Sequence, residues 1–330
     1  MIDTTETKRP AAVRAGTGPS SSSVAVRDSR LRRLASRASL SVAVVLVVVK
    51  FAAWIATGSV ALLSSAVDAL VDTAASLATY FGVRYAERPP DREHRFGHGK
   101  GEAVAGFTQA AFLAGAALAL GFQSAERLVF PEPIKQFGLG LGVVVASLVV
   151  AAGLVALQSW VVRETNSTAI AADRAHYIAD VAVNLAVLSA LAVTRFTGWE
   201  RADPIFALLI SGYMLWNSRA IAMDALKQLL DRELPADERQ RIRDRVLACP
   251  GVQGVHDLRT RYSGDRTFVE FHMEVDGQLT IAHGHTVSDA AERAVEALFL
   301  PSIVEVTAHL EPAGIDDERL DDRVASAENS

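Results

Sequence analysis

Two pairs of potential metal ligands lie in strongly apolar parts of this 330-residue chain. Asp68 and Asp72 are four residues apart in one apolar stretch, and His176 and Asp180 repeat that spacing at the start of a later one. Residues i and i+4 project from one face of a helix, so each pair can point at a single spot. Because ionisable groups at membrane depth are costly and usually functional, the two pairs predict one intramembrane site for a divalent metal ion.

The ligand types of this predicted site favour particular metals. Three carboxylates and one imidazole suit tetrahedral Zn²⁺ and Cd²⁺ and tolerate Fe²⁺ or Co²⁺. Octahedral Mg²⁺ is disfavoured because it keeps several of its waters. Histidine titrates near neutral pH, so His176 can exchange a metal ion for a proton, which predicts metal/proton antiport. The alternative is that the four residues form helix–helix hydrogen bonds or line a proton path without binding metal.

The apolar residues around these ligands predict a bundle of transmembrane helices. Hydrophobic residues make up 50% of the chain and are concentrated between Leu40 and Ala222. A helix needs about 20 residues to span a bilayer. We therefore predict a membrane α-helical bundle of six transmembrane helices in contact with the lipid bilayer. The six segments are Leu40–Thr57, Val60–Tyr85, Ala103–Leu128, Phe137–Val162, Ser167–Val193 and Asp203–Met223.

Basic residues in the short connections predict the orientation of this bundle. They cluster before the first segment, between the second and third, and between the fourth and fifth, whereas the opposite connections carry few. Since Lys and Arg in short loops favour the cytoplasmic side, both termini should be cytoplasmic. We expect a multi-pass protein of the cell's inner (plasma) membrane.

Beyond the last apolar segment the pattern becomes that of a small soluble α+β domain in the order αββαβ. We predict a disordered arm (1–35), a transmembrane domain (36–233), a cytoplasmic metal-binding dimerisation domain (234–313) and an acidic disordered tail (314–330). The single cysteine, Cys249, excludes an intramolecular disulfide and is expected in the core. The predicted elements of the α+β domain are helix Ala236–Ala248, strands Gly254–Tyr262 and Thr267–Asp276, helix Ile281–Leu300 and strand Ser302–Glu311.

A second possible metal site lies in the loop between the second and third apolar segments. Asp91, His94 and His98 are spaced closely enough to bind one ion at the cytoplasmic membrane edge. Arg92, Arg95 and Lys100 lie among them, and their field partly opposes a cation. The alternative is a basic loop whose histidines form structural hydrogen bonds.

A third group of potential ligands lies in the α+β domain. His309 and Glu311 are two apart on a predicted strand, so their side chains share a face. A single surface histidine is usually solvated and inert, but several histidines with one carboxylate that can bridge them predict a small metal cluster. His283 lies near this group and is interpreted as an exposed residue at the start of a helix. The predicted ligands are His256, His272, His285, His309 and Glu311.

Several ordered motifs resemble the cation diffusion facilitator family, in particular its bacterial zinc/ferrous-iron efflux branch. The resemblance extends from about Leu40 to Pro312. The motifs are Thr57-Gly-Ser-Val-Ala-Leu-Leu, Asp68-x3-Asp72, Phe96-Gly-His-Gly-Lys100, His176-x3-Asp180, Leu229-Leu-Asp-Arg232 and Val255-His-Asp-Leu-Arg-Thr260.

The resemblance implies a homodimer of six-helix protomers with a metallochaperone-like αββαβ domain. It implies that the four intramembrane residues form the transport site and that the other two groups are the family's loop and dimer-domain sites. Members of this branch carry aspartate where this chain has Glu311, which leaves open whether that carboxylate bridges two metal ions. Lys100 and Asp231 match a charge pair that locks the helical part at the membrane surface, and burial would make such a pair costly to break.

These features predict secondary-active efflux of divalent transition-metal ions from the cytoplasm, with Zn²⁺ as first choice and Cd²⁺ or Fe²⁺ also carried. No Walker-type phosphate-binding loop is present, which argues against ATP as the driving force. One alternative is a scaffold that senses or stores metal without moving it, and another is a transporter selective for Mn²⁺ or Fe²⁺. A membrane metalloenzyme is disfavoured because the four protein ligands leave no open coordination position. No nucleic-acid partner is expected.

Overall fold

Six long helices are followed by a small α+β domain in the computed structural model of the chain. The structure describes residues 21–57, 60–130, 138–197, 199, 201–300, 302–314 and 319–328. Within these ranges, the arrangement of a helical bundle and an α+β domain confirms the predicted fold class. The six long helices are α1 (Ser21–Thr57), α2 (Val60–Ala86), α3 (Gly101–Val129), α4 (Gly138–Thr165), α5 (Thr168–Thr197) and α6 (Ala202–Leu229).

The surface of the helical bundle is apolar. Large side chains point outward along it, among them Phe122 and Trp216, while alanine and serine fill much of the interior. Small interior residues let membrane helices approach closely. At Gly82 of α2, an added Cβ would lie 2.3 Å from the Cβ of Ala105 on α3, so this crossing requires glycine. Within the described residues, four stretches are long and apolar enough to cross a membrane, namely Val26–Ala52, Gly101–Val129, Val145–Thr165 and Pro204–Leu229.

The other two long helices, α2 and α5, carry the predicted intramembrane ligands. Helix α5 packs against α2, α3, α4 and α6. Asp173 and His176 of α5 are buried and therefore lie inside the bundle instead of facing lipid, which is where such residues are found in membrane proteins.

Both predicted disordered ends are partly helical. Helix α1 begins at Ser21, so the prediction of a disordered arm is wrong for residues 21–35, and residues 1–20 lie outside the described part. Arg33 explains this order, because its Nε donates to Glu87 Oε2 at 2.6 Å and ties α1 to the end of α2. The tail forms α9 (Leu320–Glu328), and the Leu320 amide donates to Asp257 Oδ2 at 2.9 Å. The prediction of a disordered tail is therefore wrong for residues 319–328.

The α+β domain follows the predicted order. The elements are α7 (Ala236–Leu247), β1 (Val252–Ser263), β2 (Arg266–Val275), α8 (Ile281–Phe299) and β3 (Ile303–Pro312). Strand β1 pairs antiparallel with β2, which pairs in parallel with β3, and α8 makes the crossover between them. Helices α7 and α8 cover one face of the sheet around a core that includes Ile242, Phe271 and Val295, and Cys249 packs against that core.

The turn between β1 and β2 joins this domain to the helical bundle. Gly264 has a φ of 64°, and an added Cβ there would lie 2.9 Å from the carbonyl oxygen of Gly99. Arg32 of α1 is buried and donates to Asp265 Oδ2 at 3.0 Å, while its Nε lies 3.4 Å from Glu102 Oε1 of α3. The turn therefore contacts α1 and the loop that precedes α3, and Arg32 extends this contact to α3.

Candidate functional site

The predicted intramembrane ligands of α2 and α5 meet inside the bundle. His176 Nε2 lies 3.1 Å from Asp72 Oδ1 and 3.8 Å from Asp180 Oδ2. One potential ligand atom from each residue lies within 4.8 Å of the others, which is compact enough for a shared metal ion. Asp68 belongs to α2, and its side chain lies outside the described part of the chain.

The burial of this cluster differs between its members. The His176 side chain is only 4% exposed, whereas those of Asp72 and Asp180 are 33% and 35% exposed. The Nε2 atom of His176 faces the carboxylates, and its Nδ1 atom is buried without a hydrogen-bond partner among the described residues. An imidazole nitrogen that faces two carboxylates is a donor set that fits a divalent transition metal.

The loop residues Asp91, His94 and His98 also come together. Their potential ligand atoms lie within 4.8 Å of one another, and the rings of His94 and His98 are 4.5 Å apart. His98 is buried against Tyr85, while Asp91 and His94 are exposed. The backbone amide of His94 donates to Asp91 Oδ1 at 2.7 Å and lowers the pKa of that carboxyl group below its usual value. The same geometry supports both interpretations, a metal site and a hydrogen-bonded loop.

The sheet brings most of the third group together. His256 on β1, His272 on β2 and His309 on β3 are paired in register across the three strands. Glu311 lies between them, with Oε1 2.7 Å from His272 Nδ1 and Oε2 3.1 Å from His256 Nε2. His309 Nε2 lies 3.5 Å from Glu311 Oε1 and is largely exposed. This cluster is therefore held together by the strand register and by one carboxylate that contacts two histidines.

His285 is not brought into that cluster within the protomer. It lies on α8, where its Nδ1 is 3.5 Å from Asp289 Oδ1 and its side chain is 75% exposed. It does line a cavity of about 410 Å³ together with Glu311. His283 is exposed in the first turn of α8, as predicted, and its amide is capped by Thr280.

Sequence reasoning missed Glu274 as a neighbour of the sheet cluster. Its Oε1 lies 3.3 Å from His256 Nδ1 and accepts a hydrogen bond of 2.7 Å from Arg319, just before α9. The alternation of β2 places Glu274 on the same face as His272. That signal was present in the sequence, but nothing in the sequence indicated that the tail returns to this strand.

The predicted pair of Lys100 and Asp231 forms, with its charged atoms 3.0 Å apart, and Lys100 also donates to the carbonyl oxygen of Leu229. The side chains are 37% and 38% exposed, so the pair is not buried and the cost that burial would add does not apply. Exposed pairs of this kind contribute about 0–1 kcal/mol, because solvent screens them. Arg261 shares Asp231 at 3.3 Å, which makes the contact a small network between the bundle and β1.

Six long helices around a cluster of carboxylates and imidazole define a membrane protein that handles metal cations. Residues 36–230 match the cation efflux transmembrane domain, and residues 234–313 match the cytoplasmic domain of cation efflux proteins. The chain belongs to the cation efflux family. This confirms the family resemblance found in the sequence motifs, and the family is one of transporters, not enzymes.

The similar proteins include cation-efflux pumps named FieF. The chain is 44% identical over 286 residues to those of Salmonella choleraesuis (strain SC-B67) and Cronobacter sakazakii (strain ATCC BAA-894), covering 86% of this chain and 94% of each relative. Among solved structures, the zinc form of the putative zinc transporter CzrB matches with 35% identity and a TM-score of 0.24, over 27% of this chain and 99% of that one. The matched family and the relatives named as cation-efflux pumps support divalent metal cation efflux as the function class of the chain.

Proposed function

We propose that this protein exports divalent transition-metal ions from the cytoplasm in exchange for protons, with Zn²⁺ as the main substrate and Cd²⁺ or Fe²⁺ as further substrates. The observation that carries the proposal is the position of His176 Nε2 between the carboxylates of Asp72 and Asp180. We assign Asp68, Asp72, His176 and Asp180 to the transport site.

The donor chemistry supports a transition metal over a hard cation. Imidazole nitrogen binds Zn²⁺ well, whereas Mg²⁺ and Mn²⁺ favour oxygen ligands. The exchange for protons follows from the same atom. A proton and a metal ion compete for His176 Nε2, so protonation on the outer side displaces the metal and deprotonation on the inner side restores the site.

A cavity on the side of the α+β domain extends toward this site. It has a volume of about 920 Å³ and lies between α5 and α6. Its lining runs from Arg239 of α7 to Ala175, the residue before His176. If the α+β domain is cytoplasmic, as the basic connections predict, this cavity faces the compartment from which the metal is removed.

The other two clusters are proposed to bind metal outside the membrane. His256, His272, His285, His309 and Glu311 form the site of the α+β domain, and Asp91, His94 and His98 form the loop site. We also propose the inner membrane as location, cytoplasmic termini, and a homodimer held by domain 234–313, with 36–233 as the transmembrane domain. A matched dimer-type cytoplasmic domain supports the homodimer.

Ion flux into proteoliposomes tests the proposal. Purified protein is reconstituted into liposomes that enclose a Zn²⁺-sensitive dye. Flux is recorded with and without an imposed pH gradient, with Asp72→Ala as control. Zn²⁺ flux that follows the gradient and is lost in the variant is expected. Flux that does not depend on the pH gradient would contradict proton exchange. Flux of Mn²⁺ or Fe²⁺ without flux of Zn²⁺ would contradict Zn²⁺ as the main substrate. Tight binding without any flux would favour a scaffold that stores metal.

A further inference from the structure

A buried carboxylate that the transport site does not include lies one helical turn before His176. Asp173, His176 and Asp180 follow one another at i, i+3 and i+7 along α5, so they share one stripe of the helix. Asp173 is completely buried, with 0% of its surface exposed. Burying a carboxylate is strongly unfavourable unless it is hydrogen-bonded, so the hydrogen-bond partners of Asp173 are needed to keep it in this position.

The two oxygens of Asp173 accept hydrogen bonds from two different helices. The Nε2 atom of Gln109 on α3 donates to Oδ1 at 2.8 Å, and the Nε2 atom of Gln158 on α4 donates to Oδ2 at 2.6 Å. Both glutamines are as deeply buried as the carboxylate. Hydrogen bonds to an ionised acceptor are about twice as strong as neutral ones.

Gln109 extends this network to a fourth helix. Its Nε2 also lies 3.0 Å from the carbonyl oxygen of Ala75 and 2.9 Å from Thr79 Oγ1, both on α2. Helix α2 carries Asp72, the residue that faces His176. One amide therefore links the two helices whose side chains form the intramembrane cluster, and the carboxylate links them to α4.

We propose that Asp173 is a positioning residue that fixes the rotation of α5, so that His176 Nε2 meets the carboxylate of Asp72. The inference rests on the proposed transport site. A rotation of α5 by roughly 20° would move an atom about 6 Å from its axis by about 2 Å, which is enough to separate Nε2 from Asp72. The hydrogen bonds of Asp173 oppose that rotation.

The amide oxygens of the two glutamines provide a way to test this role. Gln109 Oε1 and Gln158 Oε1 are buried without a hydrogen-bond partner among the described residues. In the variant Asp173→Asn, one glutamine can turn its amide over and accept from the new NH₂ group, while the other still donates to the remaining oxygen. The hydrogen bonds survive although the charge is lost, whereas Asp173→Ala loses both.

The experiment follows Co²⁺ binding to the full-length protein by visible absorption. Subtracting the spectrum of Asp180→Ala isolates the signal of the intramembrane site from the other clusters. Asp173→Ala should weaken Co²⁺ binding at the intramembrane site by about 10- to 100-fold and change the shape of its absorption bands. Asp173→Asn should remain within about threefold of the unmodified protein, the effect of one neutral hydrogen bond.

Tyr177→Phe is the matched control. Tyr177 is buried on the same helix beside His176, and its hydroxyl makes longer contacts, 3.3 Å to Ser76 Oγ, 3.4 Å to Ser39 Oγ and 3.3 Å to the carbonyl oxygen of Ser39. This variant should leave the spectrum unchanged. If Asp173→Ala does not fold, Gln158→Met replaces it, since it removes one donor and should weaken binding measurably.

Two results would overturn the positioning role. One is an unchanged affinity in Asp173→Ala, or in Gln158→Met where that variant replaces it. The other is an Asp173→Asn variant as weak as Asp173→Ala, which would mean that the charge matters and not the hydrogen bonds. If Asp180→Ala removes no Co²⁺ signal at all, the failure is that of the proposed transport site.

Discussion

The intramembrane cluster and the sheet cluster use the same chemistry but are held in different ways. In the bundle, the ligands come from α2 and α5, two helices that contact each other through side chains. In the sheet, His256, His272 and His309 occupy paired positions on strands that are joined by backbone hydrogen bonds. A ladder fixes distances between its strands, whereas packed helices can slide or rotate.

This difference fits the roles proposed for the two clusters, transport for the intramembrane cluster and retention of metal for the sheet cluster. A site that must release its ion needs ligands that separate when helices move, and His176 and Asp72 belong to different helices. A site that holds metal benefits from a fixed frame, and Glu311 reaches two histidines on neighbouring strands. The comparison teaches that metal-binding residues alone do not distinguish a transport site from a structural one.

Removing the imidazole of the bundle should have the largest effect. In His176→Ala, the proposed transport site loses the one nitrogen ligand among its four assigned residues, and we expect Zn²⁺ flux to fall by about 100-fold or more while the protein stays folded. Flux into proteoliposomes and the thermal unfolding midpoint check this. His283→Ala is the control, because that histidine is exposed outside the three clusters. Unchanged flux in His176→Ala would contradict the assignment.

Removing the shared carboxylate of the sheet should affect binding more than transport. In Glu311→Gln, we expect the Zn²⁺ affinity of the α+β domain to fall by at least about tenfold, because the histidines lose a charged partner. Flux should fall by less than about tenfold, since the ligands in the bundle are untouched. Zinc titration and flux are measured together, with the exposed Glu296→Gln as control. A complete loss of flux would remove the distinction between the two regions.

The smallest effect is expected in the loop, where Asp91 accepts the backbone amide of His94. That hydrogen bond lowers the pKa of Asp91, so its stabilising effect is present above the usual aspartate pKa of about 3.9 and is lost as pH falls through the lowered value. Amide hydrogen exchange at His94 should be faster in Asp91→Asn than in the unmodified protein at pH near 6, and the difference should vanish in strong acid. Equal exchange rates at His94 in the variant and the unmodified protein at pH 6 would contradict the prediction.

Much of the fold and of the candidate sites could be predicted from residue patterns that extend over only a few positions. The spacing of Asp68 and Asp72 and of His176 and Asp180 predicted shared helix faces, and alternation along the strands predicted that His309 and Glu311 share a face. These are consequences of helix and strand periodicity, which act within a few residues. The meeting of Asp72 and His176 was predicted from their ligand chemistry, since no local rule pairs two helices, and the family resemblance implied the same site.

The features that sequence did not predict depend on contacts between distant residues. Gln109, Gln158 and Asp173 lie on three helices, and no periodicity connects them. The order of residues 21–35 depends on Arg33 meeting Glu87 across two helices, although their composition alone favoured disorder. Long-range pairings of this kind are set by packing.

The most direct test of the difference between the two regions is Zn²⁺ flux in Asp180→Ala and His272→Ala, reconstituted side by side under the same pH gradient. The account predicts that flux is absent in Asp180→Ala and retained in His272→Ala, with both variants folded. Flux that persists in Asp180→Ala, or that is lost only in His272→Ala, would contradict it.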